Sequence, residues 1–530
     1  MRPFFQWLQS GESIYTPVPG TQHYSLLNSN ESPEDSEFSF IHSVVSDADA
    51  RLARLDDEIS KIQERVRLLK QERVSIFNYR TCNKVILSPL RRMPPEVLGE
   101  IFLLTLPSVR DELDRGGFDL TDSPWVLTRI STRWRTISLS TPSLWSRILI
   151  NYTRIRHRPA AYPLSLAKAH IQRAQKLKIH FYGSENGDSF PQVQMFQLLS
   201  QHSSRWDELS LLLTSKIVPH LSLLRDRLPL LRRIWIQWKC AASQAEVQSI
   251  DCFQTVPSLV DFGTINEHRF VSVSLPVHQL THYFLDAPWG EQKHILSLAL
   301  NLVEAHITVN FDLEPWPAPN DPIRLSHLRG VYGSNPEILD HLAAPSLEGL
   351  ALALAHDETA SEVLSHLEAF VDRSGCHLQK LYCRGLPDPD TTTRILQKFS
   401  SITELVMESN DYWGTTRQRA DDLMATLTLS STAAITPNLS RVVLACRNKD
   451  DDDDCIDYWS YIRMVQSRWR AEDCALKAAA LLIGSGAPTD RTILLALQML
   501  RQEGLDFVLI EGMAAMKEMK ISIYCAPWMI

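Results

Sequence analysis

The chain has 530 residues, of which 44% are hydrophobic and 22% charged, and a formal net charge of -8. That length exceeds what one core serves and predicts about two to four structural units of ordinary globular composition. The negative balance argues against a general nucleic-acid binder, which would carry a basic patch, and no apolar run approaches the ~20 residues that span a bilayer. The nine cysteines form no CxxC pair and no regular framework. Neither zinc nor a disulfide scaffold is signalled, and reduced thiols in a cytoplasmic and/or nuclear protein are expected.

Residues 1–45 are rich in Ser, Pro, Asn and Glu without a lasting period, which predicts a disordered tail. From Ser46, with Asp49 at capping-box spacing, a helix is expected over residues 46–80. Leu52, Leu55, Ile59, Ile62, Val66 and Leu69 alternate steps of three and four, a heptad pattern that meets Arg73 and resumes at Ile76. Two uses compete for it: dimerisation through residues 52–76, or folding back as a stalk on the helices that follow.

Between Ser88 and Trp145 lie short helical stretches with strong start signals. Pro94 and Pro95 suit a first helical turn and Glu96 complements its dipole. Val97, Leu98, Ile101 and Phe102 make one apolar face. A second helix is expected to start at Ser123 with Pro124 at its first position, Val126, Ile130, Trp134 and Ile137 lining its apolar side. These helices cannot bury all that surface among themselves, so a partner face is implied.

The blocks Met93-Pro94-Pro95-Glu96-Val97-Leu98-Gly99-Glu100-Ile101-Phe102, Ile130-Ser131-Thr132-Arg133-Trp134-Arg135 and Leu144-Trp145 come in an order that resembles an F-box, the helical module that docks on the Skp adaptor of a cullin-RING ubiquitin ligase. The departures are Met93 for Leu, Ser131 for Cys, and a long spacer from about Leu106 to Asp122. The spacer and the Ser-Pro start are similar to those of the large F-box family of mushroom-type fungi. The resemblance covers residues 86–150. It implies adaptor-facing roles for Pro94, Pro95, Val97, Leu98, Ile101, Phe102, Trp125, Ile130, Trp134, Leu144 and Trp145. It also implies that charges at Leu98 and Ile101 would abolish docking while leaving the C-terminal region folded.

Over residues 165–530 the texture changes to a recurring Leu-x-x-Leu-x-Leu rhythm. Clear copies start at Trp206, Leu231, Leu302, Leu347, Leu378, Ile402 and Leu439, weaker ones near Leu259, Leu280 and Leu328. Their spacing, roughly 20 to 37 residues, matches or modestly exceeds a leucine-rich-repeat period. Helical stretches lie between them, such as Met195 to Leu199, Glu337 to Leu342 and Ser361 to Val371. One strand plus one helix cannot bury its apolar face alone, whereas a stack can. The fold class expected is therefore α+β to α/β: an N-terminal coiled-coil helix, a small three-helix module, then an irregular leucine-rich-repeat-like solenoid of short parallel strands and helices. Near its end come an acidic loop, residues 449–455, which lacks the Gly and Glu of a calcium loop, and helices at Tyr458 to Trp469 and Thr492 to Gln502. A last strand, Met519 to Tyr524, is expected as a C-terminal cap.

No phosphate loop, HExxH, GxSxG or kinase set occurs. Catalytic residues, metal ligands and cofactors are expected to be absent, with His282 and His306 structural or solvated and Cys376 and Cys383 small core residues. The reading is a non-enzymatic substrate receptor with the Skp adaptor and, through it, cullin as partners and a target protein on the repeats, without nucleic acid or membrane. A scaffold outside any ligase is the alternative.

Overall fold

The computed structural model describes residues 17, 19–30, 32–115, 120–153, 163–186, 188–312, 316–319, 321–354, 360–386, 389–409, 416–429, 438–446, 456–471, 475–484 and 490–522. The chain divides into two compact units, Met1–Pro94 and Pro95–Ile530. Residues 1–16 of the expected tail and the acidic run Asp450 to Asp454 lie outside the described residues.

The first unit is dominated by one helix. After α1 (Gln22–Asn28), α2 runs from Asp35 to Ile86, 52 residues. It therefore starts well upstream of Ser46 and ends beyond residue 80. Its capping box is Glu34 with Glu37, because Glu34 is the residue that still has extended backbone before the first turn. Ser46 and Asp49 are interior, so the disorder expected up to residue 45 gives way to helix from Asp35. α1 lies against the first turns of α2, with His23 edge-on to Phe40 at 5.6 Å between ring centroids. Every apolar heptad residue from Leu52 to Ile76 is exposed. The short α3 (Pro89–Arg92) closes the unit.

The second unit opens with α4 (Pro95–Leu104), α5 (Val109–Arg115), α6 (Leu127–Ile130) and α7 (Thr132–Ser140). The expected second helix is two. Ser131 adopts extended backbone between them and its hydroxyl caps α7, accepting from the Trp134 N–H at 3.1 Å. Ser123 and Pro124 lie in the turn ahead of α6 rather than in a helix. The spacer holds α5, which sequence periodicity did not signal. Its Glu112 pairs with Arg147 at 2.8 Å, fixing the spacer to the first strand.

That strand, β1 (Arg147–Asn151), begins a 14-stranded sheet that continues with β2 (Leu177–Tyr182), β3 (Trp206–Leu213), β4 (Arg233–Trp238), β5 (Asp261–Ile265), β6 (His282–Ala287) and β7 (Glu304–Val309). It ends with β8 (Gly330–Gly333), β9 (Gly349–Ala353), β10 (Lys380–Arg384), β11 (Glu404–Ser409), β12 (Arg441–Cys446), β13 (Ala478–Ile483) and β14 (Asp506–Glu511). Each strand pairs in parallel with the one before it. Because right-handed crossovers land on one face when strands are added in one direction, the connecting helices share a face. From β4 to β13 the strand starts two residues after the repeat residue: Leu231, Leu259, Leu280, Leu302, Leu328, Leu347, Leu378, Ile402, Leu439 and Leu476 are all buried there. Each such side chain contributes about 1.5–3 kcal/mol on leaving water, which makes the recurring leucine the pin of every strand.

The helices from α4 and the sheet fall within one compact unit, Pro95–Ile530. The expected cap strand is absent: Met519 belongs to the helix Gly512–Ser522, and Ile523 and Tyr524 lie outside the described residues. Among the described residues no helix is long and apolar enough to cross a membrane.

Candidate functional site

The eleven residues assigned to a docking face fall into distinct environments. Leu98 and Trp145 are fully buried (0%), and Phe102 (1%) and Leu144 (2%) nearly so. Phe102 meets the half-buried Trp134 at 4.7 Å between ring centroids, joining α4 to α7. Trp145 faces the repeats: its Nε1–H donates to Ser138 O at 2.8 Å, Trp125 packs edge-on at 5.0 Å, and the Arg173 guanidinium lies 4.3 Å above its ring. His170 completes this cluster, and burial pushes its pKa down to about 4, so it is neutral there. A charge at Leu98 would therefore act on the fold as well as on any partner. Ile101 and Trp125 are half-buried, while Pro94, Pro95, Val97 (45%) and Ile130 (54%) stand in solvent. Leu104 and Leu139, which the motif did not single out, are exposed beside them in sequence.

The second candidate surface is the sheet face opposite the connecting helices. Alternate residues share a face, so the register aligns the side chains in rows. The first row is charged: Lys178, Glu208, Arg233, Asp261, His282, Glu304, then Gly330 and Gly349, then Lys380, Glu404 and Arg441. Opposite charges meet along it. Arg233 lies 3.0 Å from Asp261, His282 Nδ1 2.7 Å from Asp261, and Glu404 3.2 Å from Arg441 and 3.6 Å from Lys380. The hydrogen bond to Asp261 raises the His282 pKa above its usual value.

The second row is aromatic. Trp235 meets Phe284 at 5.1 Å across Gly263, Phe284 stacks on His306 at 5.3 Å, and His306 stacks on Tyr332 at 5.5 Å. Burial in this stack holds the His306 pKa down to about 4, and its Nδ1 has no hydrogen-bond partner among the described residues. Where Gly330 and Gly349 remove the first-row side chains, a depression of about 320 Å³ opens, lined by Glu304, His306, Tyr332, Glu348, Lys380 and Tyr382 among others. At the C-terminal end the same face is covered: Ala515 and Met519 pack on Val406, Val443, Ala445, Ala480 and Leu482.

Sequence reasoning named His306 and His282 only as structural or solvated residues and missed Trp235, Phe284, Tyr332 and Tyr382. The signal was present: each aromatic stands four residues after a repeat leucine, at Leu231, Leu280, Leu328 and Leu378. Cys383, between Tyr382 and Arg384, falls on the other face. Cys383 is buried there and its thiol pKa is pushed up to about 12, as is that of buried Cys252, so both are protonated at neutral pH. Among the described residues no group of His, Cys, Asp and Glu is placed to hold a metal ion. The aromatic row is itself buried, with Trp235 at 3%, Tyr332 at 6% and Phe284 at 7% exposure, so the ionic row and the depression beside Tyr382 are what this face offers a polypeptide. Neither protein-family models nor curated proteins give a match to this chain.

Proposed function

We propose that this chain is the substrate-receptor subunit of an SCF-type ubiquitin ligase. Its helices around α4 to α7 act as an F-box docking on the Skp adaptor and thereby cullin, and its parallel sheet acts as an irregular leucine-rich-repeat solenoid that captures a target protein. The observation that carries this reading is the division of labour within the F-box-like blocks. Leu98, Phe102, Leu144 and Trp145 are consumed by the chain's own core, whereas Val97 and Ile130, in the same blocks, stay in solvent although apolar. Large apolar side chains held out on short rigid helices suit a partner surface. The row of ionic side chains and the depression between Glu304 and Lys380 supply the second surface, toward the target. The chain contributes no covalent step: by holding a target beside a charged ubiquitin carrier it raises the effective concentration of the reacting groups.

The test uses the full chain co-expressed with the Skp adaptor. The wild type should elute with it as a stoichiometric complex. The Val97→Asp/Ile130→Asp variant, altered only at exposed positions, should unfold at the wild-type temperature and elute alone. A folded wild type that never binds the adaptor, or a double variant that binds it unchanged, overturns the assignment.

A further inference from the structure

The exposed stripe of α2 carries an inference independent of the ligase reading. With Leu52, Ile59, Val66 and Arg73 at one core position of the heptad and Leu55, Ile62, Leu69 and Ile76 at the other, the flanking positions are Arg51, Glu58, Arg65 and Glu72 on one side. Asp49, Asp56, Gln63 and Lys70 flank the other. Two features set these residues apart. The apolar stripe is exposed throughout. The outer face of the helix satisfies its own charges, Lys61 with Asp57 and Arg67 with Glu64, whereas Arg51, Glu58, Arg65 and Glu72 form no ion pair among the described residues.

The charges alternate along the first flank, and alternation decides the orientation. We propose that α2 pairs with α2 of a second copy of this chain as an antiparallel coiled coil centred between Ser60 and Lys61. In that register Leu52 faces Leu69, Ile59 faces Ile62 and Val66 faces Leu55 of the second copy. Flanking this core, Arg51 opposes Glu72 and Glu58 opposes Arg65, each repeated by the two-fold axis. On the other flank Asp49 opposes Lys70, and Asp56 opposes the neutral Gln63. Arg73, the residue that breaks the apolar pattern, falls opposite Ala48, whose small side chain leaves space for its stem. Every flanking pair is attractive or neutral.

A parallel pair fares worse on the same residues. Arg73 would face Arg73 within the core, and Arg65 would lie beside Lys70, leaving Arg51 with Asp56 as the one attractive pairing. Like charges in contact set partner choice and orientation by excluding the wrong arrangement. The antiparallel pair also separates the two ends. At 1.5 Å rise per residue, the two copies of Ile86 stand about 75 Å apart.

Two charge-swapped full-length variants test the register. Arg51→Glu/Arg65→Glu makes the first flank wholly acidic, and Glu58→Arg/Glu72→Arg makes it wholly basic. The wild type should have twice the 60.4 kDa chain mass by light scattering at micromolar concentration. Each variant alone should run at the single-chain mass, because all its first-flank pairs become repulsive. An equimolar mixture should restore the doubled mass, as all four pairs are then attractive. A parallel pair gives equal sums of attraction and repulsion in both variants and in the mixture. A monomeric wild type, or a dimer that persists equally in each variant alone, overturns the proposal.

Discussion

Trp235 lies across Gly263: a Cβ built on that glycine would stand 2.1 Å from Trp235 Cε3, closer than any real contact allows. The glycine is there because the neighbouring strand supplies the side chain for both positions of the row. Gly263→Ala must therefore push the indole out of the stack with Phe284. Overpacking of this kind costs about 1–3 kcal/mol. The denaturation midpoint should fall accordingly and the tryptophan emission should shift to the red; an unchanged midpoint would show that the ring moves freely.

Trp145→Ala separates structure from docking within the F-box-like blocks. It removes a fully buried indole, its hydrogen bond to Ser138 and the ring under Arg173. The expected loss is about 3–5 kcal/mol, seen as a lowered unfolding temperature with or without the adaptor. Ile130→Asp, at an exposed site, should change stability by no more than about 0.5 kcal/mol. Equal destabilisation by the two substitutions would contradict the burial that divides them.

Acid should weaken the fold. Burial holds His170 and His306 down to a pKa of about 4 and, with the Arg147 and Lys178 charges nearby, His180 down to about 3, against an ordinary 6.5. Unfolding lets all three take protons below pH 6.5, so the unfolded state binds more protons and stability falls as pH falls from 6.5 toward 4. Asp286 opposes this. Burial raises its pKa from 3.8 to about 6, so its contribution is present below 3.8 and fades as pH rises to 6. His282, raised by Asp261, likewise loses its contribution as pH rises through its folded pKa. Three fully sheltered histidines outweigh these two, and the urea midpoint at pH 4.5 should lie below that at pH 7.5. His180→Phe should flatten the profile; a midpoint independent of pH would refute the assignment.

Met519→Asp places a charge in the cluster of Val406, Val443, Ala480 and Ala515. An unpaired buried charge costs about 3–5 kcal/mol and is set against the packing of Ala515 and Met519 that holds the helix Gly512–Ser522 to the cluster. The expected outcome is release of that helix. Hydrogen exchange should rise over residues 512–522 while β4 to β7 keep their protection. Protection retained over 512–522 would show that the helix is held by something other than this cluster.

How much of this was written in the sequence follows from how local each signal is. The heptad of α2 and the helices Tyr458–Trp469 and Arg491–Gln502 were legible because periodicity and capping act within a few residues. The repeat leucines located the strands from β4 to β12 to within two residues, because the same local pattern recurs wherever a strand must be pinned. Tertiary structure alone decided the rest. Met519 is helical because the residues after β14 find an apolar sheet end to cover, against a strand-like local pattern. Leu98 and Val97, adjacent in one motif, part ways because one turns into the core and the other into water. The aromatic row exists only once parallel pairing sets Trp235, Phe284, His306 and Tyr332 side by side, a juxtaposition of residues up to 97 positions apart that register creates and no single repeat contains.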